Sequence, residues 1–184
     1  MSKALLLVDV INDFFSPNGA NYYPAYDQVL AAVQNLVAVA RKLSIPVIHA
    51  RESHRPGPDF EWTKLPRHCM AGAWDTLPPA GLDARDEDVV VFKRRYSAFF
   101  ATDLDLLLRE RGVRTLVVAG VKSNVCVRAT IQDAFALGYR IILPREATAS
   151  NRAHLHAAAL EDIDRYMGRV VSLAEAEHML EVDE

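Results

Sequence analysis

The chain has 184 residues, of which 51% are hydrophobic and 24% charged, and its formal net charge is −3. These values are typical of a globular protein with a full-sized core, and we predict a single domain over residues 1–184. Acidic and basic residues are mixed along the chain, which argues against a nucleic-acid-binding surface, because such a surface needs a basic patch. The longest apolar runs, such as ALLLVDVI, are too short to span a membrane.

The N-terminal sequence and the cysteine content indicate the cellular compartment in which we expect the protein. MSKALLLVDV lacks the length and the cleavage site of a signal peptide. The chain has two cysteines, Cys69 and Cys126, and the absence of an export signal favours a reducing environment for them. We therefore predict a cytoplasmic protein with free thiols.

Predicted strands alternate with predicted helices along the chain. The run KALLLVDV contains the continuous apolar stretch ALLLV, as in a strand that is covered on both faces. Residues 25–43 carry apolar side chains at helical spacing. Later strands are predicted in IPVIHAR, DVVVFKR, RTLVVAG, YRIILP and RVVSL. Later helices are predicted at 104–111, in the segment that begins near Cys126, at 151–167 and after Ser172. This alternation predicts βαβ units, and therefore a parallel sheet with helices on both faces.

Local signals mark some of the boundaries. Thr102 with Asp105, and Ser172 with Glu175, have the spacing of capping boxes at helix starts. Residues 52–88 are rich in proline and long for a plain connection, and long ordered loops are often functional.

Reactive side chains follow the ends of the predicted strands, where open parallel sheets bind their ligands. Asp9 follows the first strand, Glu52 and His54 the second, Lys93 the third, and the turn to Cys126 the fourth. A helix N-terminus and a nearby ammonium would lower the pKa of the Cys126 thiol, and Asp9 could exchange its proton. These groups predict a hydrolase with a cysteine nucleophile. Each also has a simpler interpretation: an inert buried cysteine, a turn-capping aspartate and a solvent-facing lysine.

Three segments resemble the isochorismatase-like cysteine hydrolases, which include nicotinamidases and N-carbamoylsarcosine amidase. They are LLLVDVINDFF, VVFKRRYSAFFATDLDLLLRERGV and LVVAGVKSNVCVRATIQDAFALGYRIILPREATAS. The resemblance implies a three-layer α/β/α Rossmann-like sandwich, with a six-stranded parallel sheet in the order 3-2-1-4-5-6. It also implies a homodimer or homotetramer.

The resemblance also implies roles for individual residues. Asp9 would be the general acid and base, Lys93 the supporting cation and Cys126 the nucleophile. The peptide bond between Val121 and Lys122 would be cis. The backbone N–H groups of Lys122 and Cys126 would then form the oxyanion hole.

A metal site is the main open alternative. Nicotinamidases of this family bind a metal through an Asp-x-His pair and a later histidine, and this chain has Glu52, His54 and His68. These side chains could hold a hard or borderline ion. Because the first position is Glu rather than Asp and the surrounding sequence differs, we predict no bound metal and no other cofactor.

Aromatic and basic residues near the strand ends are candidates for substrate contacts. Phe14, Trp62 and Tyr96 could form the walls of a pocket for a small planar amide, or they could serve only in packing. Arg94 or Arg95 could bind a substrate carboxylate or lie exposed at the surface.

The leading hypothesis is a cysteine-dependent hydrolase of a small-molecule amide or other C–N bond, acting through a thioester. The alternatives are a metal-assisted nicotinamidase and a non-enzymatic binding or oligomerisation module of the same fold.

Overall fold

A computed structural model describes residues 2–182. The predicted domain of residues 1–184 also includes Met1, Asp183 and Glu184, which lie outside the described residues. The strands are β1 (Lys3–Val8), β2 (Val47–Glu52), β3 (Val89–Lys93), β4 (Thr115–Val121), β5 (Arg140–Pro144), β6 (Thr148–Ala149) and β7 (Arg169–Val171).

All strand pairs are parallel, and the sheet order is β3-β2-β1-β4-β5-β7. This confirms the predicted order 3-2-1-4-5-6, because the predicted sixth strand is β7. The two-residue strand β6 pairs beside β4 and adds a strand that the sequence does not indicate. Two residues are too few to show a periodic pattern.

Helices cover both faces of the sheet. They are α1 (Asn12–Phe15), α2 (Tyr26–Lys42), α3 (Leu104–Glu110), α4 (Arg128–Ala136), α5 (Ala153–Tyr166) and α6 (Leu173–Glu181). Side chains alternate along β1, so that Leu5 and Leu7 pack with α2 and α6, whereas Leu6 and Val8 pack in the core formed with α3, α4 and α5. The central strand β1 is therefore buried on both faces, and five of its six residues are apolar.

One predicted capping box forms and the other does not. The Ser172 hydroxyl accepts the Glu175 N–H, and the Glu175 side chain accepts the Ser172 N–H in return, as predicted. The box predicted for Thr102 and Asp105 is wrong. The Asp105 carboxylate instead accepts hydrogen bonds from Arg109 at 2.9 Å and from the Tyr139 hydroxyl at 2.8 Å.

No helix within residues 2–182 is both long and apolar enough to cross a membrane.

Candidate active site

Asp9 lies immediately after β1, at the carboxyl edge of the sheet. Its side chain is fully buried, and its backbone adopts a left-handed conformation with φ 51°. Oδ1 accepts the backbone N–H of Glu52 at 2.8 Å, and Oδ2 lies 2.8 Å from the Lys93 ammonium. The neighbouring strand β2 and the more distant strand β3 therefore both hold this carboxylate in place.

Lys93 is the last residue of β3, which is separated from β1 by β2. Adjacent strands are about 4.8 Å apart, so the side chain has to cross the end of β2 to reach Asp9. The ammonium also donates a hydrogen bond to the Arg95 carbonyl at 3.2 Å. The side chain has no exposed surface. A lysine at a strand end usually extends into solvent, and Lys93 does not.

Cys126 lies in a π-helical turn, Ser123–Val127, between β4 and α4. The sequence pattern predicts an ordinary first turn of an α-helix at this position, and π-helical turns are frequent at functional sites. Its thiol and the carboxylates of Asp9 and Glu52 each offer an atom within 4.8 Å of the others. The residue is 5% exposed, so Cys126 is almost fully buried.

The backbone before the thiol turns sharply. The peptide bond between Val121 and Lys122 is cis. The Lys122 carbonyl accepts the N–H groups of Val125 at 3.0 Å and Val127 at 3.2 Å. These bonds hold the turn that presents Cys126 next to the end of β4.

Burial changes the charge state expected for the thiol. It raises the pKa of Cys126 well above its ordinary value, and the Lys93 ammonium only partly opposes this, while the Asp9 carboxylate adds to it. The expectation of a lowered pKa is therefore wrong, because it considered the helix end and the lysine but not the loss of water. The resting thiol keeps its proton, and attack on a substrate needs a base beside it.

The Asp9 carboxylate lies beside this thiol and could accept its proton. Burial raises the pKa of Asp9 to about 6, against the opposing charge of Lys93. Burial would lower the pKa of Lys93, but the charges of Asp9 and Glu52 and the hydrogen bond to Asp9 raise that pKa overall. At neutral pH the site thus holds a carboxylate, an ammonium and a thiol.

A second group of polar side chains adjoins the first. Oε1 of Glu52 lies 2.9 Å from Nε2 of His54 and 3.2 Å from Nε2 of His68. The other ring nitrogens are also engaged: Nδ1 of His54 lies 3.0 Å from Asp59, and Nδ1 of His68 lies 2.9 Å from the Pro66 carbonyl. Metal-binding histidines typically have such an outer partner on one ring nitrogen. Here Glu52, His54 and His68 each offer one ligand atom, and these atoms lie within 4.8 Å of one another. The three side chains therefore fit a metal ion of the zinc class.

Asp59 is a member of this network that sequence reasoning missed. Its buried carboxylate accepts hydrogen bonds from Arg94 at 3.2 Å and from Arg95 at 2.8 Å. Both arginines are therefore already paired, which disfavours the idea that either one binds a substrate carboxylate. Asp59 lies in a proline-rich loop, where nothing in the sequence distinguishes it from its acidic neighbours.

The three candidate substrate-contacting aromatic residues differ in their surroundings. Phe14 is 4% exposed and packs in the core, and the Lys122 ammonium lies 5.6 Å from its ring centroid. The Trp62 ring packs against His54, with the ring centroids 4.4 Å apart. Tyr96 is 41% exposed, and its pKa is raised by burial and by the charge of Glu61. Their contact with a substrate stays a prediction.

The structure also reveals a polar contact behind the thiol turn. The hydroxyl of Ser123, the first residue of that turn, lies 2.9 Å from Nδ1 of His156 on α5. Ser123 is fully buried, and burial lowers the pKa of His156. The two residues are 33 positions apart, so no local pattern could have paired them.

The chain has relatives of similar sequence along nearly its whole length. The ureidoacrylate amidohydrolase of Methylobacterium radiotolerans is 35% identical over 204 residues, which cover 97% of this chain and 79% of that protein. The maleamate amidohydrolase of Pseudomonas putida is 32% identical over 194 residues, which cover 96% of this chain and 86% of that protein.

The fold is shared with a solved structure, that of the nicotinamidase/pyrazinamidase of Bacillus subtilis. The two match with a TM-score of 0.88 and 31% identity, over 94% of this chain and 100% of the other. The family model described as the isochorismatase domain matches residues 3–175. The fold, the relatives and the family model agree, and the chain belongs to the isochorismatase-domain family.

Proposed function

We propose that this member of the isochorismatase amidohydrolases cleaves a small-molecule C–N bond through a covalent thioester on Cys126. The general activity, that of an amidohydrolase of small molecules, follows from the family and from the named activities of its relatives. One observation supports the covalent cysteine mechanism: the Cys126 thiol lies beside a buried carboxylate that is itself paired with a buried ammonium.

The thioester forms in two steps. The Asp9 carboxylate takes the thiol proton as Sγ of Cys126 forms a bond to the carbonyl carbon of the substrate. The carbonyl electron pair moves onto oxygen, where the N–H groups of Lys122 and Cys126 stabilise it. When this intermediate collapses, the C–N bond breaks and the protonated Asp9 gives its proton to the leaving nitrogen.

Hydrolysis then restores the enzyme. Asp9, again a carboxylate, takes a proton from water as the water oxygen attacks the thioester carbon. The C–S bond breaks, and the departing sulfur recovers a proton from Asp9. Throughout the cycle the Lys93 ammonium remains paired with Asp9, which favours return of this buried group to its charged form.

Ammonia release from a panel of small amides, carbamoyl compounds and ureides tests this proposal, with ureidoacrylate, maleamate and nicotinamide in the panel. We expect Cys126→Ala to abolish turnover of whichever compound the native protein cleaves. The matched control is Cys69→Ala, which removes the other thiol, itself fully buried, and should retain activity. Full turnover by the Cys126→Ala protein would refute the covalent mechanism.

The contacts of Glu52 favour a second candidate, a metal-assisted amidohydrolase of the nicotinamidase type. Glu52, His54 and His68 would hold the ion, and a bound ion of this class supplies a Lewis acid that polarises a carbonyl or a water. Elemental analysis of protein purified without chelators tests this idea, with His54→Ala as the variant that should lose the metal. Protein that holds no stoichiometric metal, even after incubation with zinc or manganese, would exclude it.

The expected homodimer or homotetramer and the cytoplasmic location stay predictions. Light scattering coupled to gel filtration would measure the mass in solution against the 20.5 kDa of one chain.

A further inference from the structure

Most cations around Cys126 are already neutralised by a carboxylate. Lys93 pairs with Asp9 at 2.8 Å, and His68 lies 3.2 Å from Glu52. Arg94 and Arg95 share Asp59 at 3.2 Å and 2.8 Å, respectively. A substrate anion would have to compete with an internal partner for any of these groups.

Lys122, the residue directly before the thiol turn, is an exception. Among residues 2–182, no carboxylate oxygen lies within 4.0 Å of its ammonium. The side chain is half-buried, and its ammonium lies 5.6 Å from the centre of the buried Phe14 ring. The cation–π contact restrains the ammonium without neutralising its charge, because a ring face carries no net charge.

Lys122 is also fixed relative to the nucleophile. Its carbonyl accepts the N–H of Val127, so one turn of backbone separates Lys122 from Cys126. A helical turn advances the chain by roughly 5 Å. The backbone of Lys122 is thus close to Cys126, and its ammonium contacts Phe14, which follows Asp9 by five positions.

We infer that Lys122 binds a carboxylate of the substrate and selects short amides or ureides that carry a negative charge. This inference rests on the proposed function and narrows its substrate class. The free ammonium provides a charge-assisted hydrogen bond to one end of the substrate, while Cys126 attacks the other. Lys122 is thus a specificity-determining residue whose side chain takes no part in the bond-breaking steps.

Two alkylating reagents of nearly equal shape test the charge preference without knowledge of the substrate. Iodoacetate is anionic and iodoacetamide is neutral, and both transfer a two-carbon unit to a thiolate with loss of iodide. The rate with each reagent is measured by mass spectrometry of the peptide that contains Cys126, which distinguishes it from Cys69. The ratio of the iodoacetate rate to the iodoacetamide rate is then divided by the same ratio for glutathione. This division removes the difference in intrinsic reactivity between the two reagents.

We expect the normalised iodoacetate preference to fall roughly 10-fold or more in Lys122→Met, the effect of losing one hydrogen bond to a charged group. Lys122→Arg should keep most of the preference. The matched control is Arg55→Met, because Arg55 is an exposed cation with no carboxylate within 4.0 Å among the described residues, and it does not belong to the chain segment that carries Cys126. That variant should leave the ratio unchanged.

The outcomes separate this inference from the proposed function. An equal preference in the native and Lys122→Met proteins, with Cys126 alkylated in both, would overturn the role of Lys122 and leave the nucleophile in place. A larger loss in Arg55→Met than in Lys122→Met would also overturn it. Failure of both reagents to modify Cys126 in the native protein would remove the proposed function, and the inference with it.

Discussion

Lys93 and Asp9 form an ion pair without exposed surface, and the ammonium lies 2.8 Å from the carboxylate oxygen. The two residues come from strands that are separated by β2, so the pair crosses the carboxyl edge of the sheet. Each charge would be costly to bury alone, and each makes the other tolerable. The pair explains how a carboxylate can remain charged next to a buried thiol.

Removal of one partner from this pair should destabilise the protein strongly. Lys93→Met leaves the Asp9 carboxylate buried without a counter-charge, and we expect the free energy of unfolding to fall by about 3–5 kcal/mol. Urea denaturation followed by circular dichroism measures this change. The control is the double variant Lys93→Met with Asp9→Asn, which should recover part of the loss. A double variant less stable than the single one would contradict this account.

The activity should have an acid limb near pH 6. The base form of Asp9 is the carboxylate, and burial raises its pKa to about 6. Because the carboxylate is populated above that pKa, kcat/KM should rise with pH through this range and be lost below it. A pH–rate profile provides the test, and Asp9→Asn should be nearly inactive at every pH. A limb near pH 4, the ordinary range of carboxyl groups, would mean that Asp9 is not the titrating base.

Gly120 should be intolerant of any side chain. It has φ +120°, and a Cβ atom at this position would lie 1.9 Å from the Val8 carbonyl oxygen. The clash falls on backbone between β1 and β4, so we expect Gly120→Ala to cost roughly 3 kcal/mol or more. The control is Gly138→Ala, with φ +87° and nothing within 4 Å of the added atom. It should cost only about 1–2 kcal/mol, and thermal unfolding of both variants provides the comparison.

The contact between Ser123 and His156 should matter for turnover. Loss of either side chain frees the start of the thiol turn, and we expect Ser123→Ala and His156→Ala each to lower kcat about tenfold with a smaller change in KM. Because the two share one hydrogen bond, the double variant should be no worse than the single ones. His156→Asn, which keeps an acceptor, should restore part of kcat. Multiplicative losses would show that the residues act separately.

Some of the fold could be predicted because its signals are local. KALLLVDV and RTLVVAG contain uninterrupted apolar runs, which identify central strands. The helix predicted at 25–43 closely matches α2 (Tyr26–Lys42). The prediction of the strand order depended on the resemblance to the isochorismatase-like hydrolases rather than on the pattern of apolar residues. The false capping box at Thr102 shows the limit, because a spacing does not reveal that Asp105 has better partners on other elements.

The sequence by itself determined which reactive groups exist and that they follow strand ends, so Asp9, Lys93 and Cys126 could be named as one site. The tertiary structure alone decided their charge states and partners. Burial raises the pKa of Cys126, whereas local reasoning predicts a decrease. Asp59 forms ion pairs with both Arg94 and Arg95. Within residues 2–182, Lys122 has no carboxylate partner. The physical reason is that desolvation and ion pairing depend on atoms from distant parts of the chain. A local sequence pattern does not show which of these atoms come together.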